Sequence, residues 1–405
     1  MTGSDDLRVC RPGRRRASAA VLCCTALLAA ASASAAPRVP GSAAEVLERL
    51  PARDGAEWRA IAALQADLAR SPRDSTVAAE LGQRYLELFR AQGDPRLIAY
   101  AQRGLGAWKD DAEPPPEIAL KRAEIAQSEH RFAAARAELE RLAARSPRDA
   151  RVWLTLATID VVRADYASAR RECARLVLLL DVAVAGGCTA AVQAVTGDAA
   201  RAYDFVSGQL AGAGDLPASI ATWLTTLAAE IAEGLGRGSE AERYYRAALR
   251  ADAHPSVYLL SAYADFLLHA GRANDVIELL AETPPADPLL LRLALAEKEI
   301  GRDVAKRLET LSYRLQLALD GLDATHAREA AYLALYLLEK PEVALTNALA
   351  NWNLQHEAID ARLVLEAALA AGRPEAARSV LEWLEANRVE HTALRELAAK
   401  LRAAS

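Results

Sequence analysis

The sequence predicts an all-α fold built from stacked helix pairs, and three observations predict it. Alanine, leucine, arginine and glutamate dominate the 405 residues, and these are strong helix formers. Aromatic residues make up only 5%, with four Phe, too few for a strand-rich protein that packs on aromatic and β-branched side chains. A pattern of apolar and small residues also returns at a fixed interval, the signature of a repeat array. At 52% apolar and 25% charged, the composition is that of a folded chain and not a disordered one.

The first 35 residues read as a cleaved export signal. Arg8, Arg11, Arg14, Arg15 and Arg16 form a basic start, an uncharged stretch runs from Ala17 to Pro37 around Val21–Leu28, and Ala33-Ser34-Ala35 is a small-x-small exit. The Ala/Ser richness makes a poor membrane anchor, and no later stretch resembles a spanning segment, so no stable membrane insertion is expected after cleavage. The destination is the periplasm or the outside of a bacterial cell. The segment holds five of the 49 basic and two of the 54 acidic residues, so the remainder carries 44 and 52, net −8. That balance argues against nucleic acid, whose binders need a basic patch.

The elements follow in order. Residues 36–73 are a lead-in with an amphipathic helix over 55–70. Repeats are predicted over 75–287. The first, Ser75–Ala112, has Leu81-Gly82, Tyr85 and a turn at Gly93-Asp94, with a first helix about one turn too long. Pro114-Pro115-Pro116 reads as a rigid break between repeats. Pro116–Asp149 and Ala150–Ala183 then align at a period of 34 residues. The first carries Leu120, Ala123, Phe132, Ala135, Leu139, Leu142 and Pro147; the second carries Trp153, Leu156, Ala157, Tyr166, Ala169, Cys173 and Leu176. Ala183–Pro217, Thr222–Pro255 and Val257–Asp287 continue the register, with Gly197, Gly236 and Gly271 at the inter-helix turn. Residues 288–357 match weakly and read as two divergent helix pairs. Residues 358–405 are a final repeat with Gly372 at its turn and a closing helix from His391. Apolar residues at i, i+3, i+4 and i+7 give each helix one buried stripe, so neighbours must stack.

These residues resemble the tetratricopeptide repeat. Trp153, Leu156, Ala157, Tyr166 and Ala169 match that family's pattern in one repeat, and Phe132, Ala135, Leu139 and Pro147 match it in the preceding one. The resemblance implies a right-handed α-α superhelical solenoid. Of the two cysteines left after cleavage, Cys173 falls on the second helix of one repeat and Cys188 on the first helix of the next. In this family those helices pack side by side, so a disulfide is expected; two buried free thiols are the alternative. The resemblance also places the working surface on the concave face, lined by first helices. Carried over position by position, that face includes Glu124, Arg151, Thr158, Trp223, Glu230, Tyr258, Asp265, Arg362 and Glu366. An acidic groove with aromatic side chains suits a basic extended peptide or a partner helix. Acids that merely solvate the groove are the plainer alternative.

No motif for catalysis or a cofactor is present: no His-Glu-x-x-His, Cys-x-x-Cys, phosphate-binding Gly-Lys-Ser/Thr loop or Gly-x-Ser-x-Gly. The six histidines are scattered, so no metal site is expected. Solenoids of this kind usually lack deep pockets. The sequence thus predicts a non-enzymatic exported scaffold that binds a protein or peptide in its groove, as an adaptor or envelope assembly factor. A structural spacer in an envelope complex, and an enzyme using groove carboxylates, are the alternatives.

Overall fold

The computed structural model describes residues 55–404 apart from 213–215 and 322–323, together with Gly41, Ser42 and Ala44. The export segment predicted over 1–35 lies outside the described residues. The chain divides into two compact units, Met1–Gly55 and Ala56–Ser405, and the helical array belongs to the second.

Among the described residues the regular structure is helical throughout, with no strand. Ser75–Gln92 pairs with Arg96–Gly104, Pro116–Ser128 with Phe132–Arg145, Ala150–Val162 with Tyr166–Leu176, and Val182–Ala194 with Ala199–Gly212. Ala218–Gly234 and Gly238–Ala251 follow, then Val257–His269 and Ala273–Leu280, then Asp287–Glu299 and Ala305–Arg314. Ala327–Tyr332 runs into a π-helical turn, Leu333–Leu337, before Pro341–Trp352. Ala358–Ala370, Arg378–Ala386 and Thr392–Ala404 end the array. The described residues form an all-α solenoid of adjacent helix pairs.

Local chemistry starts and stops these helices. Asp74, Asp149, Asp165 and Asp181 each accept backbone N–H groups at a helix N-terminus, and Glu357 with Asp360 forms a reciprocal capping box. The turn between paired helices needs one left-handed residue. Glycine supplies it at Gly197 (φ 83°), but Ala164 holds the same role at φ 59°. An L side chain is strained there by roughly 1–2 kcal/mol. Small residues also permit close approach. A Cβ on Gly187 would lie 2.6 Å from Leu224 Cδ2 and 2.7 Å from Trp223 Cη2. The Cys173–Cys188 disulfide forms between Tyr166–Leu176 and Val182–Ala194, with 5.5 Å between Cα atoms.

The array does not stay open. His356 N–H donates to Val162 O at 2.7 Å, and Trp383 Nε1 donates to the Tyr166 hydroxyl at 3.0 Å across 217 residues. Glu390 accepts the Ala199 N–H at 2.8 Å, 191 residues away. Gly197 lies against Arg388, Gly234 against the His391 ring and Gly236 against Thr392. One superhelical turn thus brings the chain back, and the C-terminal helices seat on the inter-helix turns of the earlier pairs. The expectation of a solenoid without a deep pocket is corrected by this return: helices of both turns bound an axial cavity of about 390 Å³.

Two substitutions test the packing. Gly187→Ala is expected to destabilise by about 1–3 kcal/mol through overpacking against Leu224 and Trp223. Ala164→Gly is expected to stabilise by roughly 1 kcal/mol by relieving the left-handed alanine. Urea unfolding midpoints at constant slope read both. Reducing the disulfide, which closes a loop of 15 residues, is expected to cost roughly 3 kcal/mol in the same assay.

Candidate functional site

The axial cavity is built from the inward faces of first helices. Leu154, Thr158 and Val161 come from Ala150–Val162, Cys188 and Ala191 from Val182–Ala194, and Trp223, Leu227, Glu230 and Glu233 from Ala218–Gly234. Val257–His269 contributes Tyr258, Ser261, Asp265 and His269. The returning turn adds Arg328, His356, Glu357, Arg362, Glu390 and His391. Spacings of three, four and seven residues put these side chains on one face of each helix.

Of the nine residues predicted for the groove, Thr158, Trp223, Glu230, Tyr258, Asp265 and Arg362 line this cavity. The other three lie outside its lining. Glu124 accepts from Lys121 Nζ at 2.5 Å, a lysine that also reaches Gln83. Arg151 pairs with Asp149 at 2.7 Å and is 66% exposed. Glu366 accepts from the Tyr336 hydroxyl at 2.7 Å and lies 3.5 Å from Arg362.

Most charges in the cavity wall are already matched. Arg292 Nη2 meets Asp265 at 2.5 Å, lies 4.9 Å from the Tyr332 ring centre, and donates to the Ser261 and Pro288 carbonyls. Arg328 bridges Asp360, at 2.7 and 2.8 Å, and Glu357, at 2.5 Å. Asp360 also accepts from Asn351 Nδ2 at 2.6 Å, yet burial still pushes its carboxyl up to about 6. Such pairs are costly to desolvate and more costly to break. Glu390 caps the helix beginning at Ala199. Glu233 accepts from the Tyr245 hydroxyl at 2.8 Å and has His269 at 3.9 Å.

Glu230 differs. Its hydrogen-bond donor is the Tyr258 hydroxyl, a neutral group. It sits deep in the protein with its residual exposed surface on the cavity, and burial raises it to about 8, with Glu357 and Glu233 adding repulsion. Tyr258 is half exposed, and that surface likewise lines the cavity. Burial lowers the nearby His391 to about 4, so its ring is neutral. Ser261 Oγ and His356 Nδ1 are buried without a hydrogen-bond partner, and both residues line the cavity.

Sequence reasoning missed Arg292, Arg328, Glu357 and His391. Arg292 carried a signal: it interrupts the apolar run Leu289-Leu290-Leu291 to Leu293. The others depend on where the returning turn lands, which no local pattern records.

A second acidic pair lies in the repeat that carries Cys173. Asp160 and Glu172 are buried against each other, with Arg136 bonded to Asp160. Asp160 Oδ2 and Glu172 Oε2 are buried with no hydrogen-bond partner, so a single proton held between the two carboxyls would satisfy both. Burial, then the Asp160 charge, pushes Glu172 up to about 8. Among the described residues no group of three His, Cys, Asp or Glu side chains is placed to hold a metal ion, and no helix is long and apolar enough to cross a membrane.

No family model matches the sequence, and no curated protein matches it. Among solved structures, the chain is similar to yeast Tom70 at 12% identity, covering 86% of this chain and 85% of that one, with a TM-score of 0.38. It is similar to the TPR domain of P58(IPK) at 14% identity, covering 82% and 98%, with a TM-score of 0.23. A chain of Naa15/Naa10 bound to HypK-THB matches at 12% identity, covering 81% and 65%, with a TM-score of 0.26.

The two raised carboxyls give the fold a pH dependence. Glu172 and Glu230 hold their protons more tightly folded than unfolded. Their stabilisation is full below the ordinary carboxylate range and is lost as pH rises through about 8. Melting temperature is therefore expected to fall between about pH 7 and 9, above the range in which the neutral His391 adds stability as pH rises. Glu172→Gln, whose amide replaces the shared proton, is expected to remove part of that fall; an unchanged pH profile would refute the shared proton.

Proposed function

We propose that this protein is an exported helical-repeat scaffold that holds a protein or peptide partner at its axial cavity, as an adaptor or assembly factor of the cell envelope. The observation that carries the reading is the lining itself. Trp223, Glu230 and Tyr258 project from successive first helices into one cavity that helices of both turns enclose. Aromatic anchors beside an underused carboxylate are what a recognition site needs. The basic N-terminal segment with its small-residue exit supports export, and a disulfide between repeats fits an oxidising compartment. The matched ion pairs at Asp265 and Arg328 narrow the acidic groove to its Glu230 end.

The test is affinity capture from an envelope extract with residues 36–405, beside a Trp223→Ala/Tyr258→Ala variant. A partner held by the native chain and lost by the folded variant is the expected result. A partner held at fixed ratio by both would favour the second reading, a structural spacer. That reading has its own observation: Val177 and Leu178, on the loop beside the disulfide, and Val182, which opens the next helix, are 64%, 89% and 66% exposed. An outward apolar loop of this kind marks a contact surface away from the cavity.

A further inference from the structure

The geometry points to an alkylammonium subsite at Glu230: the cavity takes a primary ammonium on an aliphatic stem, with the cation at Glu230 beside Tyr258. This deepens the proposed binding role and rests on the cavity being the recognition site. Four observations carry it. Asp265 is neutralised by Arg292, and Glu357 by Arg328, whereas Glu230 meets only a tyrosine hydroxyl. Glu233, one helical turn on, presents a second acid to the same space. Tyr258 on the next helix, bonded to Glu230 through its hydroxyl, adds an aromatic ring beside the carboxylate, and Trp223, two turns before Glu230 on the same helix, lines the cavity further along. Ser261, on the same wall, carries a buried hydroxyl with no hydrogen-bond partner, an acceptor that an ammonium N–H reaches once the side chain turns toward the cavity. Leu154, Val161 and Leu227 give the stem an apolar wall.

The chemistry also fixes how binding responds to pH. Among the titratable groups that share the cavity wall with Glu230 are Glu233 on its own helix, Tyr258, Asp265 and His269 on the next, Arg292 beyond it, and Arg328, His356, Glu357, Arg362, Glu390 and His391 from the returning turn. Arg292 is committed to Asp265 and Arg328 to Glu357 and Asp360, Arg362 lies 3.5 Å from Glu366, His269 lies 3.9 Å from Glu233 and His391 is neutral, so each already has its own partner or no charge, and none is paired with Glu230. An arriving ammonium supplies the missing positive charge, and Glu230 releases its proton as the cation settles. Below about 8, affinity then rises with pH by up to about tenfold per unit.

The ammonium has two sources, a lysine side chain or a free diamine. Titration calorimetry on residues 36–405 separates them with three probes: acetyl-Ala-Lys-Ala-amide, its norleucine counterpart and 1,5-diaminopentane. The lysine peptide or the diamine is expected to bind at least about tenfold more tightly than the norleucine peptide. Buffers of different ionisation enthalpy are expected to show about one proton released near pH 6.5. Glu230→Gln, which keeps the Tyr258 contact, is expected to abolish both the preference and the proton release while retaining its fold in a thermal scan. Binding by the diamine alone supports the subsite and assigns it to a free amine. Equal binding of lysine and norleucine peptides overturns the subsite yet leaves the peptide-binding role standing. No binding by any probe, or a Glu230→Gln variant that behaves as the native chain, overturns the subsite outright.

Discussion

The return of the chain onto itself is the constraint on which the interior depends. In an open solenoid each repeat touches only its neighbours, and the concave face is wet. Here a backbone bond from His356 to Val162 and a side-chain bond from Trp383 to Tyr166 tie helices far apart in sequence. The left-handed turns of the early pairs become seats for the late ones, as Gly197 does for Arg388. Without that seat, Arg328, Glu357 and Asp360 would face a hydrated groove. With it, their attraction acts in a lower dielectric, and their desolvation has to be offset by a full set of partners. Asn351 and the Glu357 backbone N–H donate to Asp360, and Gln355 donates to Asn351 in turn.

The buried acids of the array fall into two kinds. Asp265 and Asp360 meet guanidinium groups held in place by several bonds, and both are settled parts of the fold. Glu230 and Glu172 meet no such group at close range and take up protons instead. In Glu172 the proton lies against Asp160 inside one helix pair, away from the cavity lining. In Glu230 it faces space that a ligand can occupy. Equal shifts thus have unequal meaning, and location decides between a structural and a recognition role.

The fold was legible because its determinants are local. Apolar spacing and a glycine between paired helices both sit within one repeat, and the structure follows them from Gly93 to Gly372. The inward positions were legible for the same reason: Thr158, Trp223, Glu230, Tyr258, Asp265 and Arg362 are one heptad-like face carried from repeat to repeat. Closure was not legible. It depends on small rotations accumulated over several interfaces, and no residue encodes their sum. Nor was the partnering of the acids, because Arg292 and Arg328 lie in the divergent segment. There a π-helical turn over Leu333–Leu337 shifts the register, placing Tyr332 near Asp265 and Tyr336 on Glu366.

The 191-residue span between Ala199 and Glu390 has an evolutionary reading. Open repeat arrays tolerate gain or loss of a unit, because every junction is equivalent and the ends are free. In a closed array an extra unit between these two positions would rotate the second turn out of phase with its seats. Each of the long-range ties would then miss its counterpart together. Repeat number in this chain is therefore fixed by geometry, and duplication, the usual route by which such arrays lengthen, is barred between the seat and the segment that sits on it.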